Sequence, residues 1–97
     1  MRLTFAWDST KAKENVRKHG IGFDRGAEVF SDPFMLSIYD EEHSAEEDRW
    51  ITIGKDRRAA VLVLVHTFRE VDEENCSIRL ISVRRATRKE RMQYSAR

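Results

Sequence analysis

Residues Ile78 to Tyr94, reading IRLISVRRATRKERMQY, constrain the fold more than any other stretch of this chain. Ile78, Leu80, Ile81 and Val83 are apolar, mostly β-branched, and occupy both odd and even positions. That is the pattern of a strand covered on both faces at its centre. The chemistry then inverts within two residues. Arg84 and Arg85 close the strand, and Arg88, Lys89 and Arg91 follow just behind. Thr87, with Glu90 three residues on, has the spacing of a capping box, so a short helix from Arg88 to Ser95 is predicted. From Ser77 to the last residue, seven Lys/Arg stand against one acid. A covered strand that ends in guanidinium groups suits phosphate, because the planar fork of donors matches phosphate oxygens.

The rest of the chain supplies partners for that strand. Met1 to Trp7 alternates Leu3, Phe5 and Trp7 with Arg2, Thr4 and Ala6, a half-buried strand. Asp8 is placed to cap a solvated helix over Ser9 to His19, stopped by Gly20, with Ala12 and Val16 as its only apolar stripe. A second short helix runs from Phe23 to Phe30, with Asp24 as cap, and Ser31-Asp32-Pro33 closes it. Strands follow at Phe34 to Tyr39, Arg49 to Gly54 and Ala59 to Thr67. Between them lie the acidic loop Asp40 to Asp48 and the charged turn Lys55-Asp56-Arg57-Arg58. AAVLVLVHT is the most apolar run and is expected at the centre of the sheet. Glu70 to Asn75 is a second acidic loop. The expected architecture is α+β: two N-terminal helices packed on a mainly antiparallel sheet, with a short C-terminal helix.

Ninety-seven residues make one domain, residues 1–97, with one modest core. A net charge of +1 does not announce a general nucleic-acid coat, but the acids of Asp40 to Asp48 and the basic C-terminus divide that charge unevenly. One cysteine, Cys76, cannot form an internal disulfide, and no run approaches the ~18 apolar residues of a membrane span. A cytoplasmic protein without membrane contact is the expectation. His19, His43, His66 and Cys76 show no paired ligand spacing, so neither metal nor other cofactor is expected.

The remaining constellation is basic. Arg49, Lys55, Arg57 and Arg58 surround one hairpin; Arg79, Arg84, Arg85, Arg88 and Arg91 flank the last strand. Arg79 belongs to the start of that strand and Arg84 with Arg85 to its end. If the two apolar strands are antiparallel neighbours, His66 lies toward Arg79. Such a set suits metal-free cleavage of RNA, in which the substrate's 2′-hydroxyl attacks phosphorus and the protein supplies cations and a proton shuttle. Arg84, Arg85, Arg79 and His66 are the candidate catalytic residues; Lys55, Arg57, Arg58, Arg88 and Lys11 are candidates for holding RNA. His66, Lys11 and Tyr94 are the candidate proton carriers. The competing readings make His66 a core-edge histidine and Tyr94 a packing residue. On the same readings the arginines only pair with the acidic loop, or form a non-catalytic basic module for an acidic protein or nucleic acid.

Taken together, FAWD, the Lys11/Asn15/Lys18-His19-Gly20 helix, Phe23 with AEVF and Asp32-Pro33, the acidic run into Arg49, ITIG, LVLVHT and IRLISVRRATRKERMQY resemble the BrnT toxins. The resemblance covers nearly the whole chain, and ISxRRAT-xxER-xxY is its most specific part. It implies a RelE-like fold and a ribonuclease that arrests translation by cutting RNA. It also implies a BrnA antitoxin as partner, with operator DNA bound only through that antitoxin. The matching positions are Arg79, Ser82, Arg84, Arg85, Thr87, Glu90, Arg91 and Tyr94, with Trp7, Asp8, Lys11 and His19 near the start. The Phe68–Cys76 connection is longer and more acidic than the tight turn expected of the family.

Overall fold

The computed structural model describes residues 1–96 as an α+β domain. Its strands are β1 (Arg2–Ala6), β2 (Leu36–Tyr39), β3 (Arg49–Lys55), β4 (Val61–Thr67), β5 (Arg69–Glu70) and β6 (Asn75–Arg85). Its helices are α1 (Ser9–His19), α2 (Phe23–Glu28) and α3 (Arg88–Ser95). The sheet order is β1-β6-β4-β3-β2, with β5 pairing onto β6. Only β1 and β6 run parallel; the other pairs are antiparallel. The apolar run of β4 therefore occupies the middle of the sheet, as its composition predicts.

The two faces of the sheet differ. On one, Leu62, Leu64, Ile78, Leu80 and Val83 pack with Ile21, Phe23 and Val29 from the N-terminal helical region. On the other, Ile53 and Val63 pack with Ala86 and Tyr94, which brings in α3. The register between β4 and β6 shifts once: Val65 pairs with Ser82 but His66 with Leu80, leaving Ile81 as an extra residue. Such a bulge re-phases a strand whose side chains otherwise alternate between faces. Arg79 and Arg84, at positions of opposite parity, thereby come onto the same face, the one that carries α3.

Helix α1 is anchored by a residue outside its expected apolar stripe. Val16 is half exposed, whereas Asn15 is buried. The last partner of β1 on β6 is Arg79, so the side of β6 beyond it has no strand neighbour. Asn15 fills that vacancy with its amide. Its Nδ2 donates to the carbonyls of Val83 (2.7 Å) and Ile21 (3.0 Å), and its Oδ1 accepts from Val83 N–H (3.1 Å). Asp8 caps the helix through Thr10 N–H, and Gly20 ends it at a φ of 70°, as the sequence predicts.

Three boundaries differ from expectation. Helix α2 starts behind Gly22 without a side-chain cap; Asp24 lies inside its first turn, where its charge faces the helix's positive end. The helix tightens into a 3₁₀ turn at Val29–Ser31. Strand β2 begins at Leu36 because the Asp32 carboxylate accepts from Phe34 N–H and holds that stretch as a turn. The acidic connection after β4 is a small hairpin, with Arg69 and Glu70 paired to Ser77 and Cys76 and Asp72 accepting from Glu74 and Asn75 N–H.

Buried Asp56 organises the β3–β4 turn, its carboxylate accepting from Arg58 and Ala60 N–H and pairing with Arg25 at 2.6 Å. Ala59 ends the turn at a φ of 64°, in the left-handed region where a β-carbon is strained. Relief of that strain outweighs the extra freedom of glycine in the unfolded chain. Ala59→Gly should therefore stabilise the protein by roughly 0.5–1 kcal/mol, read as a higher midpoint in urea unfolding.

Candidate active site

The candidate residues separate into two groups at opposite ends of β6. Five residues part Arg79 from Arg84, so at about 3.3 Å per residue the two ends lie roughly 13–16 Å apart once the bulge is allowed for.

The first end gathers Lys55, Arg57, Arg58, Arg84, Arg85 and Arg88, since Lys55 pairs with Val61 and Ala86 N–H donates to Val61 O. Two of these side chains, Arg84 and Lys55, already hold the structure. Arg84 makes a two-pronged contact with Glu90, Nη1 to Oε1 at 2.7 Å and Nη2 to Oε2 at 2.9 Å. Glu90 also accepts from Thr87 N–H at 2.8 Å, while Glu90 N–H donates to the Thr87 hydroxyl at 3.2 Å, completing the predicted capping box. Arg84 thus fastens β6 to the start of α3. Arg85, its neighbour on an alternating strand, pairs with Leu62 and projects to the other face. The two arginines therefore do not converge on one phosphate. Lys55 lies over the Tyr94 ring at 5.8 Å, and the Tyr94 hydroxyl donates to Asp32 at 2.5 Å, so Tyr94 pins α3.

This arrangement has a pH signature. The hydrogen bond from Arg84 is the largest influence on Glu90 and lowers its pKa from 4.5 to about 2. The resulting stabilisation is complete above pH 4.5 and is lost as pH falls through 2. Arg84 is 40% exposed at its side chain, and solvent screening limits the effect to about 1–2 kcal/mol. Glu90→Gln should remove that part of the acid dependence, and Thr87→Ala should cost on the order of 1 kcal/mol, both followed by thermal unfolding between pH 2 and 7.

His66 does lie at the Arg79 end, but on the opposite face and only 2% exposed. Its Nδ1–H donates to Thr67 O (2.9 Å), its Nε2 accepts from the Thr52 hydroxyl (2.6 Å), and Ser37 in turn donates to Thr52 (2.7 Å). Phe30 meets the ring edge-on at 4.9 Å. Burial pushes its pKa below the ordinary 6.5, so the ring is neutral. Both nitrogens are engaged, and the histidine presents none to a substrate at Arg79. The core-edge reading of His66 fits this environment, and the candidate shuttle role does not.

Arg79 itself opens onto a cleft of about 380 Å³ lined by Glu47, Asp48, Thr67, Arg69 and Ser77. Its guanidinium donates to Glu47. Arg49 lies 4.0 Å from the same carboxylate, and Lys11, at the start of α1, is close enough to act on it. The Nε of Arg49 is buried with no acceptor. Arg79, Arg49 and Lys11 thus act on one carboxylate, Glu47, at a recess that Arg69 and Asp48 also line. An entering phosphate would meet cations already in place. Arg69 and Glu47 escaped the sequence reading. The usable signal was Glu47 standing two residues before Arg49 in an otherwise solvated run. Among the described residues, no three His, Cys, Asp or Glu are grouped to hold a metal, and no helix is long and apolar enough to cross a membrane.

A mixed, mostly antiparallel sheet with three helices, and a recess lined by Arg69, Arg79, Glu47 and Asp48, define a small α+β protein. The fold is shared with the 1.1 Å crystal structure of the Brucella abortus ribonuclease toxin BrnT. The two chains are 22% identical with a TM-score of 0.57, over 90% of this chain and 100% of the other. The family described as ribonuclease toxin, BrnT, of type II toxin-antitoxin system matches residues 7–90. The chain belongs to that family, and membership implies an antitoxin partner. No curated protein matches it.

Proposed function

We propose that this chain is a RelE-like endoribonuclease that cuts RNA without a metal, in the cleft at Arg79. The observation that carries this reading is the convergence of Arg79, Arg49 and Lys11 on Glu47 at an open recess that Arg69 also lines. The substrate's 2′-hydroxyl attacks the adjacent phosphorus, and the guanidinium and ammonium groups stabilise the charge that builds on the phosphoryl oxygens. These fixed cations supply the neutralisation that a divalent ion provides in other nucleases. Lys55 and Arg88 hold the flanking strand at the far end of the same face, with Arg57 and Arg58 on the adjoining turn, two or three nucleotides away. Arg84 contributes by fixing α3. Cleavage arrests translation in the cytoplasm, a BrnA-type antitoxin silences the protein, and operator DNA is reached only through that antitoxin.

The test is cleavage of a labelled RNA by purified protein in excess EDTA, with analysis of the new ends. The expected result is full activity, with 2′,3′-cyclic phosphate and 5′-hydroxyl ends. Activity that vanishes on chelation and returns with Mg²⁺, or products ending in 3′-hydroxyl and 5′-phosphate, would refute the mechanism.

A further inference from the structure

Attack by a 2′-hydroxyl requires a base beside the cations, and on the proposed reading of the Arg79 cleft that base must come from its walls. His66 has both nitrogens engaged on the other face. Tyr94 is at the far end, bonded to Asp32. Lys11 and the arginines are cations. Two carboxylates line the cleft, Glu47 and Asp48. Asp48 accepts from the Tyr39 hydroxyl at 2.8 Å, which ties it to β2. Glu47 is bonded to Arg79, the group that must turn to the substrate.

We propose that Glu47 is the general base of the cleavage reaction, masked by Arg79 in the resting protein and released when substrate phosphate takes over the Arg79 donors. Glu47 is held through Nη2, one of the nitrogens the guanidinium offers to a phosphate as a fork, so two-pronged phosphate binding displaces that bond. The freed carboxylate remains beside Arg79, within reach of the ribose attached to the bound phosphate. Glu47 then takes the 2′-hydroxyl proton, the 2′-oxygen forms its bond to phosphorus, and the bond from phosphorus to the 5′-oxygen breaks. The departing 5′-oxygen takes a proton from water in the open mouth of the cleft. The hydroxide so formed recombines with the proton on Glu47, and the enzyme is regenerated without any co-reactant.

The masking also has a pH consequence. Arg79, by its hydrogen bond, lowers the Glu47 pKa below the ordinary 4.5, with Arg49 and Lys11 acting in the same direction. Asp48 and Arg69 are the other charged groups facing the cleft. The acid limb of kcat/KM, which reports the free enzyme, lies lower than that of an unpaired glutamate. The acid limb of kcat, which reports the complex, lies higher because phosphate has displaced the masking bond.

The experiment compares wild type, Glu47→Gln, Glu47→Ala and Arg79→Ala on one labelled RNA, with folding checked by circular dichroism. Glu47→Gln should lower kcat by about a hundred- to ten-thousandfold with KM unchanged or smaller, and should abolish the acid limb. Glu47→Ala should regain activity with added formate, which a purely structural carboxylate would not allow. Wild-type kcat and acid limb in Glu47→Gln, with Arg79→Ala inactive, would overturn the assignment of the base while leaving the site intact. Undiminished cleavage by Arg79→Ala would overturn the site and the base together.

Discussion

Arg79→Ala is expected to slow RNA cleavage by about a hundred- to a thousandfold while the protein unfolds near the wild-type temperature. Losing one donor aimed at transition-state charge costs roughly 2.7–4 kcal/mol in activation free energy. The strand itself does not depend on that side chain. Arg79 pairs with Ala6 through its backbone, and its N–H donates to the Thr67 hydroxyl at 3.1 Å. The guanidinium is 45% exposed and its partner Glu47 is 38% exposed, so the stability change should stay near ~0.5 kcal/mol. Arg84→Ala should show the reverse. It strands Glu90 against the start of α3 and costs on the order of 1–2 kcal/mol, with cleavage retained in the folded fraction. Single-turnover rates and thermal unfolding of both variants check the pair. Loss of cleavage in Arg84→Ala with retention in Arg79→Ala would move the chemistry to the hairpin end.

The largest effect on stability is expected at Asn15. Asn15→Ala removes three hydrogen bonds and leaves the N–H and C=O of Val83 and the carbonyl of Ile21 without the partner that replaces a neighbouring strand. Each unsatisfied buried group costs about 1–3 kcal/mol. Even at the lower end of that range the three groups together cost roughly 3 kcal/mol, a large share of the ~5–15 kcal/mol that holds a domain of this size. Asn15→Asp keeps an acceptor for Val83 N–H but faces two carbonyls with a carboxylate, and should be no better. Urea unfolding reads both directly; an Asn15→Ala midpoint within 0.5 kcal/mol of wild type would refute the strand-replacing role.

Much of the fold was legible because it rests on local chemistry. The run VLVLV could not be solvated and so became the central strand, Thr87 and Glu90 matched a capping box, and Gly20 supplied the left-handed turn that α1 needs. What stayed hidden depended on partners distant in sequence. Asn15 looked like one more polar residue on a solvated helix, because the vacancy it fills lies 68 residues away on β6. Glu90 was correctly read as a cap, but one carboxylate serves both the cap and Arg84, and a linear pattern displays only the first duty. The bulge at Ile81 is equally silent in the sequence, yet it determines which arginines share a face. Glu47 was read as part of a solvated acidic loop; only the folded chain brings it to Arg79 across 32 residues.

The central claim, that substrate phosphate sits at Arg79, is tested most directly by titrating ¹⁵N-labelled protein with a short RNA whose scissile 2′-hydroxyl is replaced by hydrogen. Such a ligand binds but lacks the nucleophile. The account predicts amide and guanidinium shifts concentrated at Lys11, Glu47 to Arg49, Thr67 to Arg69 and Ser77 to Arg79, with a weaker set at Lys55 to Arg58. Shifts concentrated at Arg84 to Arg91, with Arg79 and Glu47 unmoved, would contradict it.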